Sequence, residues 1–160
     1  MQVIKTLSTE RSKRGDLVEV KHINSIGNSP VMFFYLKHYV QLNEAGHGHP
    51  VLNANNNSSA VFAEVNGTVV GAIVYKLEDD PLKTTWKILS AVESSYRARG
   101  IYKMMHVCLE RMVTSMGSKK IASHVHIDNI TAQAGNKAMG LTPVWFKMEK
   151  NIKGPRKPPA

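Results

Sequence analysis

The sequence predicts an α+β fold in which one central β-sheet, mixed but mostly antiparallel, carries helices on both faces. Short segments that alternate apolar and polar residues, or that are rich in β-branched residues, predict strands, and longer segments have the apolar spacing of helices. They follow one another as strand, helix, hairpin, strand, helix, strand, helix and strand, an order typical of a mixed sheet. With 160 residues, of which 42% are hydrophobic, the chain is long enough for one core.

The first third of the chain opens with a polar, basic stretch. Within residues 1–15 the sequence indicates only a short strand at Val3-Ile4. Ser29 is a good N-cap residue and Pro30 suits the first helical position, so a helix begins there. The other predicted elements are an alternating strand over 17–23, the helix from Pro30 to about Asn43, and a long loop over 44–59 that is rich in Gly, Asn, His and Ser.

A hairpin follows, and its turn is a strong local signal. Asn66-Gly67 is the dipeptide that two-residue hairpin turns favour. The predicted hairpin strands cover 60–65 and 68–77, and a further strand covers 84–92 after a polar connection.

Two further helices are predicted in the second half of the chain. One begins near Gly100, has apolar residues at helical spacing and ends at Gly117. The other is capped by Asp128 or Asn129 and runs through Met139. The predicted strands are 120–127 and 142–150, and the domain of residues 1–150 is followed by a basic, proline-rich tail over 151–160.

Composition limits the classes of function. The formal net charge is +9, which is compatible with nucleic acid as a partner or with an anionic small ligand. No apolar run reaches the roughly 18 residues of a membrane span, and the N-terminus lacks the apolar core of a signal peptide. The single cysteine, Cys108, cannot form an internal disulfide. We therefore expect a cytoplasmic protein without membrane association.

The most informative stretch joins the strand that ends at Val92 to the helix that begins near Gly100. The loop between them holds Arg97 and Arg99. Helix N-termini offer unpaired backbone N–H groups and a partial positive charge, both of which favour a phosphate. Gly100 has no Cβ, so the backbone can approach an anion closely. The pattern favours a phosphate-binding turn.

Two motifs about 30 residues apart, each at a strand-to-helix junction, carry a family resemblance. In the first, Arg97 and Gly100 are followed by Tyr102. The second holds Asn129, Ala132, Asn136, Gly140 and Leu141. They resemble the two signatures of the GNAT superfamily of acyl-CoA-dependent N-acyltransferases. The family has Gly or Ala in place of Tyr102, a Tyr at plus seven in place of Asn136, and Phe in place of Leu141.

The resemblance covers about residues 17–150 and implies how a donor would bind. The donor would be acetyl-CoA or another acyl-CoA, and the acceptor a primary amine. Backbone N–H groups of the turn would hold the CoA pyrophosphate, and the N–H near Val92 would polarise the thioester carbonyl. The candidate cofactor-binding residues are Ala91, Val92, Arg97, Ala98, Arg99, Gly100, Ile101, Tyr102, Lys103, Asn129 and Asn136.

Catalysis in this family is direct attack of the amine on the thioester, and a base must remove a proton from the amine. The candidate bases are Glu93, which follows the strand end, and His124 and His126, which are expected to share one face of the strand over 120–127. Many family members protonate the leaving thiolate with the Tyr at plus seven. Asn136 stands there, so the usual acid is absent.

No metal site is expected, because His47 and His49 in a glycine-rich loop supply too few ligands. The sequence leaves three functions open. The first is an N-acetyltransferase acting on an amine, and the second is an enzyme of the same fold that modifies nucleic acid, either DNA or charged tRNA. The third is a non-catalytic CoA-binding module. A homodimer is also open.

Overall fold

The described part of the chain, residues 1–48 and 53–152 of a computed structural model, contains six strands in one sheet and three α-helices. The strands are β1 (Ile4–Arg11), β2 (Leu17–Ile23), β3 (Ser59–Val65), β4 (Thr68–Leu77), β5 (Thr85–Val92) and β6 (Ile121–Ser123). The helices are α1 (Pro30–Glu44), α2 (Ile101–Ser115) and α3 (Ile130–Ala138), with a single 3₁₀ turn at Ser94–Tyr96.

The strands lie side by side in chain order. Neighbours from β1 to β5 are antiparallel, and β6 is parallel to β5. The sheet is therefore mixed and mostly antiparallel, as the sequence predicts. The hairpin turn is where Asn66-Gly67 predicts it, and both residues have positive φ, 51° and 76°.

The two longer helices cover opposite faces of the sheet. The cluster around α1 contains Val31, Phe34 and Tyr35 together with apolar residues of β2 to β5. The cluster on the other face contains Ile101, Met105 and Leu109 of α2. Both clusters consist of buried side chains, so the sheet is the middle layer of the molecule.

The edge of β5 becomes free part-way along the strand. β6 pairs with β5 at only three positions, of which Lys87 opposite Ser123 is the last. On the other side, the pairing with β4 shifts register between Lys87 and Leu89, so Ile88 is the extra residue of a β-bulge. From Ile88 to Val92, no described strand pairs with this edge, which we call the free β5 edge.

Three predicted strands differ from the structure. The predicted short strand at Val3-Ile4 is wrong in length, because β1 pairs with β2 from Ile4 to Arg11. Its side chains are mostly exposed, as on an edge strand, so apolar alternation does not reveal it. The predicted strand 120–127 is wrong beyond Ser123, where pairing with β5 stops.

The predicted strand 142–150 is also wrong. Its residues have no strand structure, and Trp145, Phe146 and Met148 are exposed. A strand is stabilised by a paired neighbour, and in the described chain β6, which forms that edge of the sheet, is only three residues long. Of the predicted tail over 151–160, residues 153–160 lie outside the described residues, as do residues 49–52 of the long loop.

Candidate active site

The turn between β5 and α2 is shaped to present backbone donors. Ala98 and Gly100 both have positive φ, 59° and 86°, and Gly100 is the N-cap of α2. No described side chain caps this helix, so the N–H groups of its first turn, from Ile101 to Lys103, have no capping acceptor. Among the described atoms, a Cβ added at Gly100 would meet only Lys13 Cε, at 3.8 Å.

The two arginines of the turn have different surroundings. Arg97 is exposed, and its Nε donates to the carbonyl of Val92 at 3.1 Å, so its guanidinium folds back over the end of β5. Arg99 is mostly buried and donates to Asp16 Oδ2 and to the carbonyl of Ser95, both at 2.7 Å. Its Nε has no hydrogen-bond partner among the described residues. Arg99 therefore fixes the turn in place.

The partner of Arg99 joins the turn to the loop between β1 and β2. Hydrogen bonds from the Ser12 hydroxyl and from Arg99 hold the pKa of Asp16 below its ordinary value. The Lys13 N–H donates to the carbonyl of Arg99 at 3.1 Å. These contacts bring the Lys13 side chain beside the turn between β5 and α2. No spacing in the sequence indicated that Lys13 lies there, because the contact spans more than 80 residues.

A buried lysine lies where β5 and β6 part. Lys87 is only 2% exposed, and its Nζ donates to Tyr102 Oη at 2.8 Å and to Asn136 Oδ1 at 2.5 Å. It also lies 5.5 Å from the centre of the Tyr102 ring. Tyr102 belongs to the first turn of α2 and Asn136 to α3, so one ammonium group links β5 with both helices. Sequence analysis missed Lys87, because a lysine in a strand usually faces solvent.

The surroundings of Lys87 shift several pKa values. Burial lowers the pKa of Lys87 to about 8, and burial raises that of Tyr102 to about 12. His106 of α2 is 1% exposed, and its ring lies 5.8 Å from that of Tyr102. Burial, with a smaller effect of Lys87, lowers the pKa of His106 to about 4, so this imidazole is neutral at neutral pH. Among the described residues, no carboxylate forms an ion pair with Lys87.

Glu93 lies on the side of the site that faces α1. Its Oε1 accepts a hydrogen bond from Lys37 Nζ at 2.8 Å and lies 3.3 Å from His38 Nε2. The hydrogen bond from Lys37 is the main reason that the pKa of Glu93 is lowered, and the one from His38 acts in the same direction. Burial lowers the pKa of His38. A carboxylate and a neutral imidazole thus meet at the end of β5.

The two candidate histidines do not share a strand face, because β6 ends at Ser123. The His124 ring stacks on Trp86, with centroids 4.7 Å apart. His126 Nδ1 accepts from the N–H of Asp128 at 3.1 Å, and its ring stacks on His47 at 5.0 Å. His49 lies outside the described residues. Among the residues that the structure describes, no three His, Cys, Asp or Glu side chains are grouped to hold a metal.

A model of the acetyltransferase (GNAT) family matches residues 28–140, more than two thirds of the chain. The chain belongs to the GNAT family. Comparison with curated protein sequences gives no match.

Solved structures of other GNAT acetyltransferases have the same fold. An aminoglycoside acetyltransferase from an uncultured soil metagenomic sample, in complex with sisomicin, superposes with a TM-score of 0.63 at 12% identity, covering 85% of this chain and 97% of its own. A ribosomal-protein-alanine N-acetyltransferase from Brucella melitensis gives 0.62 at 15% identity, covering 84% and 99%. An aminoglycoside N-acetyltransferase in complex with CoA gives 0.59 at 16%, covering 84% and 98%.

Within this GNAT fold, the second motif caps α3. Asn129 is the N-cap, and its side chain accepts from the N–H of Ala132 at 3.2 Å. Asn136 lies two turns further on, where its amide oxygen accepts from Lys87. The position at which many GNAT enzymes have a tyrosine therefore contacts a buried ammonium group in this chain.

Proposed function

We propose that this GNAT protein transfers an acetyl group from acetyl-CoA to a primary amine. The observation that carries the proposal is the uncapped N-terminus of α2, preceded by the turn at Arg97–Gly100, beside the free β5 edge. Uncapped helix N-termini bind phosphate, and an unpaired strand edge offers main-chain groups to an extended ligand. The CoA bound to one of the similar structures is compatible with this assignment.

The donor would lie along the turn and the free edge. The N–H groups of Ile101, Tyr102 and Lys103 would hold the pyrophosphate, together with the exposed side chains of Arg97 and Lys103. Ala98, Arg99 and Gly100 would give the turn its shape. The pantetheine arm would follow Ala91 and Val92 toward the bulge at Ile88, and Asn129 and Asn136 would face it from α3. Lys13, which lies beside Gly100, is a further candidate for phosphate contact.

The reaction would be direct attack by the neutral amine. Glu93 is one candidate base, because its carboxylate stays ionised at neutral pH, with its pKa lowered by Lys37. It lies at the Val92 end of β5, so it would accept the amine proton through a chain of water molecules. His124 and His126 are the alternatives. The loss of kcat in Glu93→Gln, His124→Gln and His126→Gln would rank the three candidate bases. An unchanged kcat in Glu93→Gln would exclude Glu93 as the base.

Calorimetry with acetyl-CoA tests the donor site. We expect micromolar binding by the wild type and binding at least about tenfold weaker, about 1.4 kcal/mol, in Arg97→Glu and Gly100→Glu. Arg111→Glu is the matched control for Arg97→Glu, since it makes the same charge change on an exposed turn of α2 remote from the N-terminus. Absence of binding by the folded wild type would overturn the proposal, and equal weakening in the control would show a nonspecific charge effect.

The acceptor class follows from charge. A polycationic amine would favour an acidic cleft, whereas this chain has 12 acidic residues and a net charge of +9. We therefore favour a neutral, anionic or macromolecular amine. Nucleic acid, either DNA or charged tRNA, is the alternative that the charge supports, and salt-independent binding would exclude it. CoA binding without turnover on any amine would favour a non-catalytic module.

The cellular location and the oligomeric state of the protein are also proposed. None of the described helices is long and apolar enough to cross a membrane. We propose a cytoplasmic protein, in line with its single cysteine. We also propose a homodimer, supported by the exposed apolar side chains of residues 144–152.

A further inference from the structure

We propose that Lys87 donates the proton that the departing CoA thiolate takes up, the role that many GNAT enzymes give to a tyrosine at the position of Asn136. This inference rests on the proposed function, since it concerns the same donor site. It is carried by two features of the fold: a buried ammonium group that has no carboxylate partner among the described residues, and its location where β5 parts from β6.

The buried charge is the first feature. A lysine that is 2% exposed loses the hydration of its ammonium group, a large penalty that ion pairing usually offsets. Here the described partners are two neutral oxygens, Tyr102 Oη and Asn136 Oδ1. Such an ammonium group is poised for an anion that forms next to it. A thiolate that leaves a thioester is an anion of that kind.

The distance along β5 is the second feature. The free edge runs from Val92, next to the phosphate turn, to Ile88, a rise of about 13 Å over four residues. The pantetheine arm between phosphate and sulfur has about as many chain atoms as four residues, or about 14 Å when extended. A CoA molecule with its pyrophosphate on the turn would therefore place its sulfur near the bulge, beside Lys87, and its thioester carbonyl near Ile88 instead of near Val92.

The groups that face Lys87 from each packed element keep it available as an acid. Tyr102 and His106 face it from α2, Asn136 faces it from α3, and Tyr75 is its pair on β4. The buried His106 is neutral at neutral pH, and burial raises the pKa of both tyrosines to about 12, so these groups carry no negative charge there. The pKa of Lys87, about 8, lies close to that of a thiol, about 8.5, which suits proton transfer between them.

The proton from Lys87 is transferred as the carbon–sulfur bond of the thioester breaks. The amine nitrogen forms a bond to the acetyl carbon and loses one proton to the base. The carbon–sulfur bond breaks, and its electron pair stays on sulfur. Lys87 Nζ gives one proton to that sulfur and becomes neutral, and solvent then returns a proton to Lys87. Asn136 and Tyr102 act as positioning residues that hold Nζ at the free edge.

The first test measures the pKa of the thiol of bound CoA and needs no amine acceptor. Wild type, Lys87→Met and Lys87→Arg are saturated with CoA, and thiolate absorbance is followed against pH. We expect the thiol of bound CoA to titrate about one pKa unit below its ordinary value in the wild type and at or above it in Lys87→Met. Lys87→Arg keeps a positive charge, so most of the lowering is retained. Lys76→Met, an exposed lysine on β4, is the matched control.

The second test uses the pH profile of kcat. Because the acid must be protonated, we expect wild-type kcat to fall above about pH 8. In Lys87→Met, kcat is about 10²- to 10⁴-fold lower at pH 7, with a KM for acetyl-CoA within a few-fold of the wild type. In Lys87→Arg the alkaline fall moves beyond the measurable range. Tyr102→Phe retains much more activity than Lys87→Met.

The outcomes separate the two proposals. If the wild type does not bind CoA, both fail. If CoA binds but its thiol has the same pKa in wild type and Lys87→Met, the proposed function stands and the role of Lys87 is refuted. A larger loss of kcat in Tyr102→Phe than in Lys87→Met would assign the acid to Tyr102 instead. Thermal unfolding of each variant shows whether it is folded.

Discussion

Lys87 is a residue whose cost to stability depends on pH. Burial lowers its pKa to about 8 in the folded protein, from 10.5 for an exposed lysine. Between these two values the unfolded chain binds a proton that the folded chain does not, so this penalty is fully present below pH 8 and disappears as the pH rises toward 10.5. A fold that keeps such a group lowers its own stability at neutral pH, which supports a functional role for the residue.

We predict that Lys87→Met abolishes this dependence on pH. The advantage of the variant over the wild type in free energy of unfolding should shrink by about 2 to 3 kcal/mol between pH 7 and pH 10. Urea denaturation at both pH values, followed by circular dichroism, measures the difference. Lys76→Met, at an exposed position, should show no comparable change. A constant difference between Lys87→Met and the wild type would mean that the pKa of Lys87 is the same in the folded and the unfolded chain.

At this scale the sequence predicts motif residues better than their partners. Arg97, Gly100 and Asn129 occupy the turn and the caps that local pattern predicts. The burial of Lys87 could not be predicted, because it depends on α2 and α3 covering that position of β5. The pairing of Glu93 with Lys37 and His38 joins residues more than 50 positions apart and has no local signature.

Among the elements, α2 depends on the backbone of its N-cap. Gly100 has φ of 86°, a conformation that costs a residue with a Cβ about 1–2 kcal/mol. Space is not the limit, because the nearest atom to an added Cβ, Lys13 Cε, lies 3.8 Å away. The glycine is therefore required by the direction of the chain and not by crowding.

We predict that Gly100→Ala lowers the free energy of unfolding by about 1 kcal/mol and weakens acetyl-CoA binding, since the turn must move. Gly135→Ala is the matched control. Gly135 lies within α3, and a Cβ there would make an ordinary contact with the Tyr102 ring at 3.5 Å. Alanine favours a helix by about 1 kcal/mol over glycine, so this variant should be more stable than wild type. Denaturation and calorimetry check both, and equal effects of the two changes would contradict the backbone argument.

The elements with a complete local signal are predicted best. The hairpin has its turn dipeptide and α1 has Ser29 and Pro30, and both are confirmed. The local sequence pattern does not predict a strand correctly where the strand depends on pairing with a distant neighbour. The segments 120–127 and 142–150 both resemble strands, yet the first pairs only as far as Ser123 and the second has no strand partner in the described chain.

At the scale of the whole molecule, the segment after α3 exposes a group of large apolar side chains. Val144, Phe146 and Met148 alternate as on one face of a strand, and Trp145 between them is 90% exposed. Exposed apolar groups of this size mark interaction surfaces. The sheet ends at β6, a short strand whose outer side has no partner among the described strands. This unpaired edge is a second surface that a partner can cover.

We predict that a second copy of the chain covers this segment, giving a homodimer in solution. Trp and Phe bury about 150–250 Å² each, so Trp145 and Phe146 of two copies alone would remove about 600–1,000 Å² from water, a large share of the 1,200–2,000 Å² of a stable interface. Sedimentation velocity should give a dimer for the wild type and a monomer for the double variant Trp145→Ser, Phe146→Ser. Phe33→Ser, which removes an exposed aromatic ring from α1, should remain dimeric. A monomeric wild type would overturn the prediction, because no second copy would then cover the exposed side chains of Trp145 and Phe146.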